Sequence, residues 1–350
     1  MSGEWAHTPP GAEGETVTAR ALFKENRLRL SEISLGCAQL GNLYQAITDD
    51  QARDTVDRAW ELGVRYFDTA PHYGLGLSER RLGNALVDRP RSEYLVSTKV
   101  GRILEPLQRP GERDDGGFDV PATHQRVWDF SRDGIFRSLE SSLERLGLDA
   151  VDIVYLHDPD DHRQEVLESG YPALEELRAQ GVVGAIGAGM NQVEMLTDFV
   201  RLTDMDVFML AGRYTLLEQS ALDELLPTCE AQSVGIVAAG VFNSGLLSRP
   251  APADDAKYNY GDAPKELLAR ARRIAQICER HSTTLPAAAL AFPLAHPAVV
   301  SVCVGARSPQ QIEGNVNYYR EGVPDSLWVD LKDEGLVRAE APVPSTRSAR

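Results

Sequence analysis

The sequence predicts an α/β protein built as a single (β/α)8 TIM barrel, in which eight parallel strands alternate with helices and close into a cylinder. Eight short apolar segments are rich in Val, Ile and Leu without strict alternation, which is typical of strands buried on both faces. Amphipathic stretches connect these segments, as a parallel sheet requires. An open doubly wound sheet remains the alternative, because the number of strands alone does not exclude it.

The eight predicted strands are spread over most of the chain. A barrel carries its chemistry at the carboxyl ends of its strands, so these positions show where to look for functional side chains. The segments cover residues 33–41, 64–71, 94–101, 152–159, 182–190, 207–214, 235–242 and 299–307.

Two connecting segments show a helical period with a glycine stop. In SRDGIFRSLESSLERLG, Gly147 predicts the C-terminal end of a helix. In YPALEELRAQG, Gly181 has the same position. The inward-facing residues are expected to be Ile135, Leu139, Leu143 and Leu146 in the first segment, and Leu174 and Leu177 in the second.

No segment of the sequence favours a membrane or secretory role. The most apolar window, LPAAALAFPLAHPAVVSVCVG, contains Pro293 and Pro297, and a helix, a turn and a buried strand explain it better than a membrane span. The first twenty residues lack the apolar run of a secretory signal. We therefore expect a soluble cytoplasmic protein.

Composition excludes several classes of function. Of the 350 residues, 43% are apolar, which is enough for a full core, and the net charge of −16 argues against nucleic-acid partners. The cysteines form no CxxC pair, so neither a zinc site nor a disulfide framework is indicated. We expect small buried hydrophobic side chains at Cys37, Cys229, Cys278 and Cys303.

One catalytic domain is predicted over residues 26–337. Flexible tails are expected at 1–25 and 338–350, because both ends are polar and contain proline. Long connections at 102–131 and 248–263 follow the third and seventh strands. Long loops in a compact domain are uncommon and often functional.

Polar side chains stand at the ends of three successive strands. Asp68 ends the second strand and Tyr73 follows in the next loop, while Lys99 ends the third strand and His157 the fourth. A neighbouring ammonium lowers the pKa of a phenol from its usual value of about 10, and an aspartate keeps that ammonium charged. A histidine can orient the reacting oxygen or relay its proton. The set predicts a proton-transfer site for interconverting a carbonyl and an alcohol, with hydride supplied by a cofactor.

Each of these residues also has a structural explanation. Asp68 could cap the following turn, Tyr73 could be a rim aromatic, and His157 could be a buried structural histidine. Lys99 is harder to explain in this way, because an unpaired buried ammonium is costly. The four together favour the catalytic interpretation.

Three segments resemble the aldo-keto reductase family. FDTAPHYGLGLSERRLGNAL resembles the family signature, VSTKVG the segment with its lysine and DIVYLHDPD the segment with its histidine. The resemblance covers nearly the whole chain. It implies a TIM barrel, a nicotinamide cofactor and a catalytic tetrad of Asp68, Tyr73, Lys99 and His157.

Further motifs resemble one branch of this family. AAGVFNSGLL, VWDFS and HDPD are similar to D-threo-aldose (L-fucose) 1-dehydrogenases, L-galactose dehydrogenase and pyridoxal 4-dehydrogenases. The resemblance implies oxidation of a cyclic hemiacetal to a lactone, with a small sugar or aldehyde as substrate. Trp128, Asp129 and Phe130 are expected to form a wall of the substrate site, although loop packing explains each of them equally well. Pyridoxal oxidation, a broad-specificity NADPH-dependent aldehyde or ketone reductase and a cofactor-sensing binding subunit remain alternatives.

The same resemblance places the adenine end of the cofactor at VGARSPQQIEGNVNYY. Two places that hold cations in NADP-specific members are occupied here by Gly305 and Gln311, which leaves Arg307 as the available cation. We therefore expect NAD, with NADP as the alternative, since a 2′-phosphate would lose its ion pairs. Asn315 matches an adenine-side asparagine, but Gly314 replaces the glutamate that usually precedes it.

At the nicotinamide end, the resemblance implies that Asn191 holds the carboxamide. The segment with Ser244, Gly245 and Leu246 is also expected to bind the cofactor. Ala239 replaces the usual stacking tyrosine, which is a departure from the general reductase pattern.

Overall fold

A closed barrel of eight parallel strands forms the centre of the protein, which confirms the predicted fold class. The computed structural model describes residues 17–22, 28–259 and 261–345. Each barrel strand overlaps a predicted segment and is shorter than it, mainly because the predictions included residues that already turn into the loops. The strands are Ile33–Gly36, Tyr66–Asp68, Leu95–Val100, Val151–His157, Val183–Met190, Val207–Ala211, Gly235–Ala239 and Val299–Gly305.

Helices surround the barrel. They are α1 Asp49–Glu61, α2 Leu77–Leu86, α3 Arg132–Leu146, α4 Arg163–Glu165, α5 Tyr171–Ala179, α6 Val193–Leu202, α7 Leu225–Gln232, α8 Lys265–Arg280, α9 Leu285–Leu294, α10 Pro309–Glu321 and α11 Asp325–Asp333. A π-helical turn over Val166–Gly170 joins α4 to α5, and short 3-10 helices occupy Cys37–Gly41, Arg91–Glu93 and Ser220–Leu222.

Helix ends follow the chemistry of their flanking residues. The Ser131 hydroxyl accepts a hydrogen bond from the Gly134 amide at the start of α3, and Gly147 ends this helix with a left-handed φ of 66°. Gly181, with φ of 71°, lies just after α5. The apolar window near the C-terminus forms α9 and then the last barrel strand, as predicted. Within the described ranges, no helix combines the length and apolar character needed to span a membrane.

A short hairpin closes the amino end of the barrel. Ala19–Ala21 pairs antiparallel with Arg29–Ser31, and Leu22, Leu28 and Leu30 are buried in the same apolar cluster as side chains of the barrel interior. The start of the chain therefore differs from the predicted tail over residues 1–25, because these leucines cover apolar surface that the barrel exposes at its floor. Residues 1–16 and 23–27 lie outside the described part.

The end of the chain also differs from the predicted tail over 338–350. Ala341 is buried, and the Arg338 guanidinium pairs with Asp223 at 2.7 Å. Contacts with the barrel helices therefore continue past residue 337, and residues 346–350 lie outside the described part.

Both long connections contain strands of their own. Arg102–Gly111 pairs antiparallel with Ala122–Trp128, and this third-loop hairpin lies over the barrel mouth. In the connection after the seventh strand, Lys257–Tyr258 pairs with Gly261–Asp262. The third-loop hairpin is the larger of the two and reaches the candidate site.

The cysteines are buried, as the sequence indicated. None forms a disulfide, and burial raises the pKa of Cys229, Cys278 and Cys303 to about 12. These thiols therefore remain protonated and act as small apolar groups.

A pair of identical glycine substitutions tests the packing of the helices. Gly83 in α2 has no room for a Cβ, which would overlap the carbonyl oxygen of Leu146, whereas a Cβ at Gly314 in α10 meets nothing within 4 Å. We expect Gly83→Ala to lower the free energy of unfolding by roughly 1–3 kcal/mol, since backbone must shift. Gly314→Ala is expected to raise it by about 0.5–1 kcal/mol through helix propensity.

Denaturant unfolding of both variants measures these changes. Equal effects of the same sign would contradict the close approach of α2 to the end of α3.

Candidate active site

Lys99 and Asp68 form a buried ion pair at the mouth of the barrel. Asp68 pairs in register with Ser97 on the neighbouring strand, and Lys99 follows two residues later on the same face. The Lys99 Nζ lies 2.6 Å from Asp68 Oδ2 and donates to the Thr69 carbonyl oxygen at 3.0 Å. The Ser97 hydroxyl donates to Asp68 Oδ1 at 2.7 Å. Both carboxylate oxygens are thus occupied, and the ammonium is held in one position.

A tight turn brings Tyr73 over this pair. Leu75 has a left-handed φ of 54°, and Gly74 beside it has φ of 63°. A Cβ at Gly74 would overlap the carbonyl of Gly41, so only glycine fits this close approach. The Lys99 Nζ lies 4.8 Å from the centroid of the half-buried Tyr73 ring. The phenol and the ammonium therefore share one site.

The pKa values of this pair reflect opposing effects. Burial lowers the pKa of Lys99, but the charge of Asp68, and then Tyr73, outweigh burial and raise it above its usual value. Burial raises the pKa of Tyr73, and the Lys99 charge only partly opposes this. The sequence predicted an acidified phenol, and the effect of Lys99 has that direction but is smaller than the effect of burial. At pH 7 the site holds an ammonium and a neutral phenol.

His157 completes the group that the sequence predicted. Its ring stands perpendicular to that of Tyr73 with the centroids 5.9 Å apart, at the end of the fourth strand. Burial, followed by the charges of Arg102 and Lys99, lowers the pKa of His157 well below its usual value. The imidazole is therefore neutral at pH 7 and can donate one hydrogen bond and accept another.

His72 and Phe118 also line this group, although the sequence analysis did not single them out. The His72 ring lies 5.6 Å from that of His157 and 5.2 Å from that of Phe118. Burial and the nearby Arg102 lower the pKa of His72 to about 3, so it is neutral as well. His72 directly precedes Tyr73 in the signature segment, and this position could have indicated that it lies at the site. Phe118 comes from the third-loop hairpin, and no local pattern marked it.

The three predicted substrate-wall residues have different surroundings. Trp128 is 42% exposed, and its ring stacks on Phe130 with the centroids 5.8 Å apart. Phe130 is fully buried beneath Gly101, so it is a packing residue. Asp129 accepts hydrogen bonds from the backbone amide and hydroxyl of Ser131 and pairs with Arg137 at 2.8 Å, which fixes the start of α3. Of the three, Trp128 alone presents an open surface.

A cleft of about 620 Å³ collects most of the predicted cofactor residues. Cys303 lines this cleft, and burial together with the charge of Asp68 raises the pKa of its thiol. Asn191 is exposed outside the lining, and Leu246 is buried, so the structure does not bring these two into the cleft. The predicted residues that do line it are Ser244, Gly245, Gly305, Arg307, Gln311 and Asn315.

The lining of the cleft carries polar groups that lack a partner among the described residues. The side-chain oxygens Gln39 Oε1 and Asn243 Oδ1 are buried without a hydrogen-bond partner in the described part of the chain, and both residues line the cleft. Asn243, Ser244 and Gly245 have consecutive left-handed φ values of 45°, 58° and 93°. Strained backbone of this kind clusters at ligand sites.

Among the described residues, two guanidinium groups line the cleft. Arg307 donates to the Gln45 side chain at 2.8 Å, and its backbone amide donates to Gln311 Oε1 at 2.9 Å. Arg249 is exposed at the end of the turn that contains Ser244. The sequence analysis missed this second cation, because its place in the cleft depends on how the seventh loop folds back.

Comparisons with known proteins agree with this geometry. The profile of the Aldo/keto reductase family matches residues 32–333. A D-threo-aldose 1-dehydrogenase from Pseudomonas sp is 49% identical over 314 residues, which are 89% of this chain and 95% of the relative. A pyridoxal 4-dehydrogenase from Microbacterium luteolum is 38% identical over 328 residues, with the same coverage of 89% and 95%.

A solved structure supports the same assignment. The holo form of an aldo-keto reductase from Bacillus halodurans matches with a TM-score of 0.72 and 26% identity, over 94% of this chain and 99% of that one. The resemblance found in the sequence is therefore confirmed, both for the family and for the group of similar dehydrogenases. By its sequence, its closed barrel and its solved neighbour, the chain belongs to the aldo-keto reductase family and is an oxidoreductase.

Proposed function

We propose that this enzyme is an aldose 1-dehydrogenase that oxidises the anomeric carbon of a cyclic aldose to the lactone and uses NAD. The observation that carries the proposal is the 49% identity with a D-threo-aldose 1-dehydrogenase, which extends over 89% of the chain. The group of Asp68, Lys99, Tyr73 and His157 supplies the acid–base chemistry that such an oxidation needs.

In this proposal Tyr73 accepts the proton of the anomeric hydroxyl. The Lys99 ammonium lies 4.8 Å from the ring and stabilises the phenolate that must form first. Asp68 acts through Lys99, because its carboxylate holds the ammonium at 2.6 Å and keeps it charged. Burial favours the neutral phenol, so oxidation should accelerate as the pH rises, while aldehyde reduction uses the neutral phenol as acid.

His157 is proposed to orient the reacting oxygen. A neutral imidazole beside an ammonium avoids like-charge repulsion and can donate a hydrogen bond to the hydroxyl oxygen while Tyr73 takes the proton. The cofactor supplies the acceptor for the hydride. Ser244, Gly245, Arg249 and Arg307 are the residues that we propose to hold it, since they line the cleft.

A second candidate substrate is pyridoxal. The observation in its favour is the 38% identity with a pyridoxal 4-dehydrogenase over 89% of the chain. Pyridoxal forms an internal cyclic hemiacetal, so the same residues would serve. Steady-state assays of an aldose panel and of pyridoxal, each with NAD and NADP, distinguish the two. Turnover of pyridoxal without turnover of any aldose would refute the sugar assignment.

Replacing the phenol tests the role of Tyr73. We expect Tyr73→Phe to lower kcat by about 10²–10⁴-fold, which is the usual contribution of a general acid–base group, and to leave cofactor affinity nearly unchanged. Kinetics and cofactor fluorescence titration measure the two effects. Tyr94→Phe, on the outer side of the barrel, is the matched control because no hydrogen bond of its hydroxyl is found within the described residues. A decrease in kcat of less than tenfold for Tyr73→Phe would contradict the role of Tyr73 as the general acid–base group.

Replacing the ammonium tests how Lys99 acts. Burial holds the pKa of Tyr73 high, and Lys99 opposes this, so Lys99→Met should raise that pKa further. The alkaline limb of the oxidation rate is therefore expected to move to higher pH, and activity at pH 7 to fall. A pH–rate profile, with the exposed Lys257→Met as control, measures the shift. Full activity with an unchanged profile would mean that Lys99 has only a structural role.

Adding a cation to the cleft tests the choice of cofactor. We expect the wild type to have a higher kcat/KM with NAD than with NADP, and Gln311→Arg to shift the ratio toward NADP by about tenfold or more, because one charge-assisted hydrogen bond is worth roughly 1.5–3 kcal/mol. Gln164→Arg, at an exposed position on α4, controls for added charge.

A wild-type preference for NADP would contradict the prediction. Arg307→Ala and Arg249→Ala would then show which guanidinium in the cleft binds the 2′-phosphate.

A further inference from the structure

Arg102 stands beside the proton-transfer group without belonging to it. It begins the third-loop hairpin, one residue beyond Gly101, which follows the end of the third strand, and its side chain is only 14% exposed. Its guanidinium carbon lies 4.3 Å from the centroid of the Trp128 ring, so one face is covered by an aromatic platform. The charge of Arg102 acts on His157 and His72, which places it in the same enclosure as the reacting groups.

Asp158 links Arg102 to His157. Its Oδ2 accepts a hydrogen bond from Arg102 Nη2 at 2.6 Å and lies 3.6 Å from His157 Nε2. Asp158 has a left-handed φ of 42°, which is unusual for a residue with a side chain, and its amide donates to the Gly189 carbonyl at 2.9 Å. The backbone therefore holds the carboxylate toward the site at some cost in strain.

The pair leaves a donor and an acceptor without a partner in the described part of the chain. Within the described ranges, the Arg102 guanidinium makes one hydrogen bond, to Asp158, so its Nη1 has none and its Nε is buried without a partner. Asp158 Oδ1 makes no hydrogen bond with a described residue, and this side chain is 39% exposed. A hydroxyl group both donates and accepts, so a donor and an acceptor side by side match two hydroxyls on adjacent carbons.

We propose that Arg102 and Asp158 bind the hydroxyls next to the reacting carbon of the substrate and thereby determine its specificity. The inference rests on the proposed function, because it concerns how an aldose lies in that site. Asp158 Oδ2 is 3.6 Å from His157 Nε2, so these hydroxyls lie one or two carbons from the carbon that loses hydride. The term threo in the name of the similar D-threo-aldose 1-dehydrogenase describes the relative arrangement of two such adjacent hydroxyls. A donor and an acceptor in fixed positions can distinguish this arrangement from the other.

Trp128 fixes the orientation of the Arg102 guanidinium. With 42% of its surface exposed, the ring supports the guanidinium on one side and offers an apolar wall to the carbon skeleton. Arg102 and Trp128 are paired in register across the third-loop hairpin, so their spacing is fixed by backbone hydrogen bonds.

The test compares substrates with and without the hydroxyls. Glyceraldehyde carries a hydroxyl on each of the first two carbons beyond its carbonyl carbon, and propanal carries none. Both can be reduced by the general reaction of the family. We expect Arg102→Gln to lower kcat/KM for glyceraldehyde by about tenfold or more, as the loss of a charged hydrogen bond does, and to change kcat/KM for propanal by less than about threefold. Electrostatic effects on Tyr73 and His157 change both rates and cancel in the ratio.

Two further variants show whether the loss in Arg102→Gln comes from the missing hydrogen bond or from misfolding. Asp158→Asn should lower the same ratio, because it weakens the hold on Arg102, and Arg102→Lys should restore part of it. Arg163→Met, which breaks an exposed pair with Asp198, is the matched control in the next helix. Thermal unfolding and cofactor titration check that each variant is intact. An equal loss on both aldehydes, or a wild type that does not favour glyceraldehyde over propanal, would overturn the inference.

Aldose assays separate this inference from the proposed function. A wild type that oxidises aldoses should lose more activity on a full aldose than on its 2-deoxy analogue when Arg102 is replaced. If the wild type oxidises no aldose but the ratio of glyceraldehyde to propanal falls in Arg102→Gln, the proposed function fails and the inference about the pair holds. If the wild type oxidises aldoses but Arg102→Gln leaves the ratio of glyceraldehyde to propanal unchanged, the inference fails and the proposed function holds.

Discussion

The buried ion pair between Lys99 and Asp68 is the interaction on which the candidate site depends. Both side chains are 3% exposed, and the distance between them is 2.6 Å. Removing one partner of such a pair costs about 3–5 kcal/mol, because the other charge is left unpaired in a medium that solvates it poorly. A pair of this kind is weak evidence for stability, since well-packed apolar residues would hold a barrel together at least as well, and this is one reason why we propose a catalytic role for it.

Burial and the Lys99 charge have opposite effects on the pKa of Tyr73, and their balance determines which form of the phenol is present. Burial favours neutral Tyr73, whereas Lys99 favours the phenolate. The neutral form suits a proton donor, and the ionised form suits a proton acceptor. A group whose pKa is set by two opposing effects can serve both directions of a carbonyl–alcohol interconversion, with the pH and the cofactor deciding which direction prevails.

The third-loop hairpin connects the cleft with the group of Asp68, Tyr73, Lys99 and His157. Phe118 near its tip contacts Tyr73 and forms a bridge with Leu43, which lines the cleft. The Tyr44 amide donates to the Gly117 carbonyl at 2.9 Å, and the Asp119 amide donates to the Asn42 carbonyl at 2.9 Å. The loop around residues 42–44 and the tip of the third-loop hairpin thus form one cover. A ligand in the cleft and a ligand beside Tyr73 would both contact this cover.

The sequence by itself determined the barrel and the four residues at its mouth. Near-continuous apolar strands and glycine-stopped helices are local patterns, and parallel strands necessarily bring Asp68, Lys99 and His157 to one edge. Only the tertiary structure decided which loop residues face inward. Phe130 turned out to be buried, and Arg102 and Arg249 turned out to line the site and the cleft, because loop conformation depends on distant contacts such as that between Leu43 and Phe118. Desolvation of the phenol likewise arises from the whole enclosure and has no local signal in the chain.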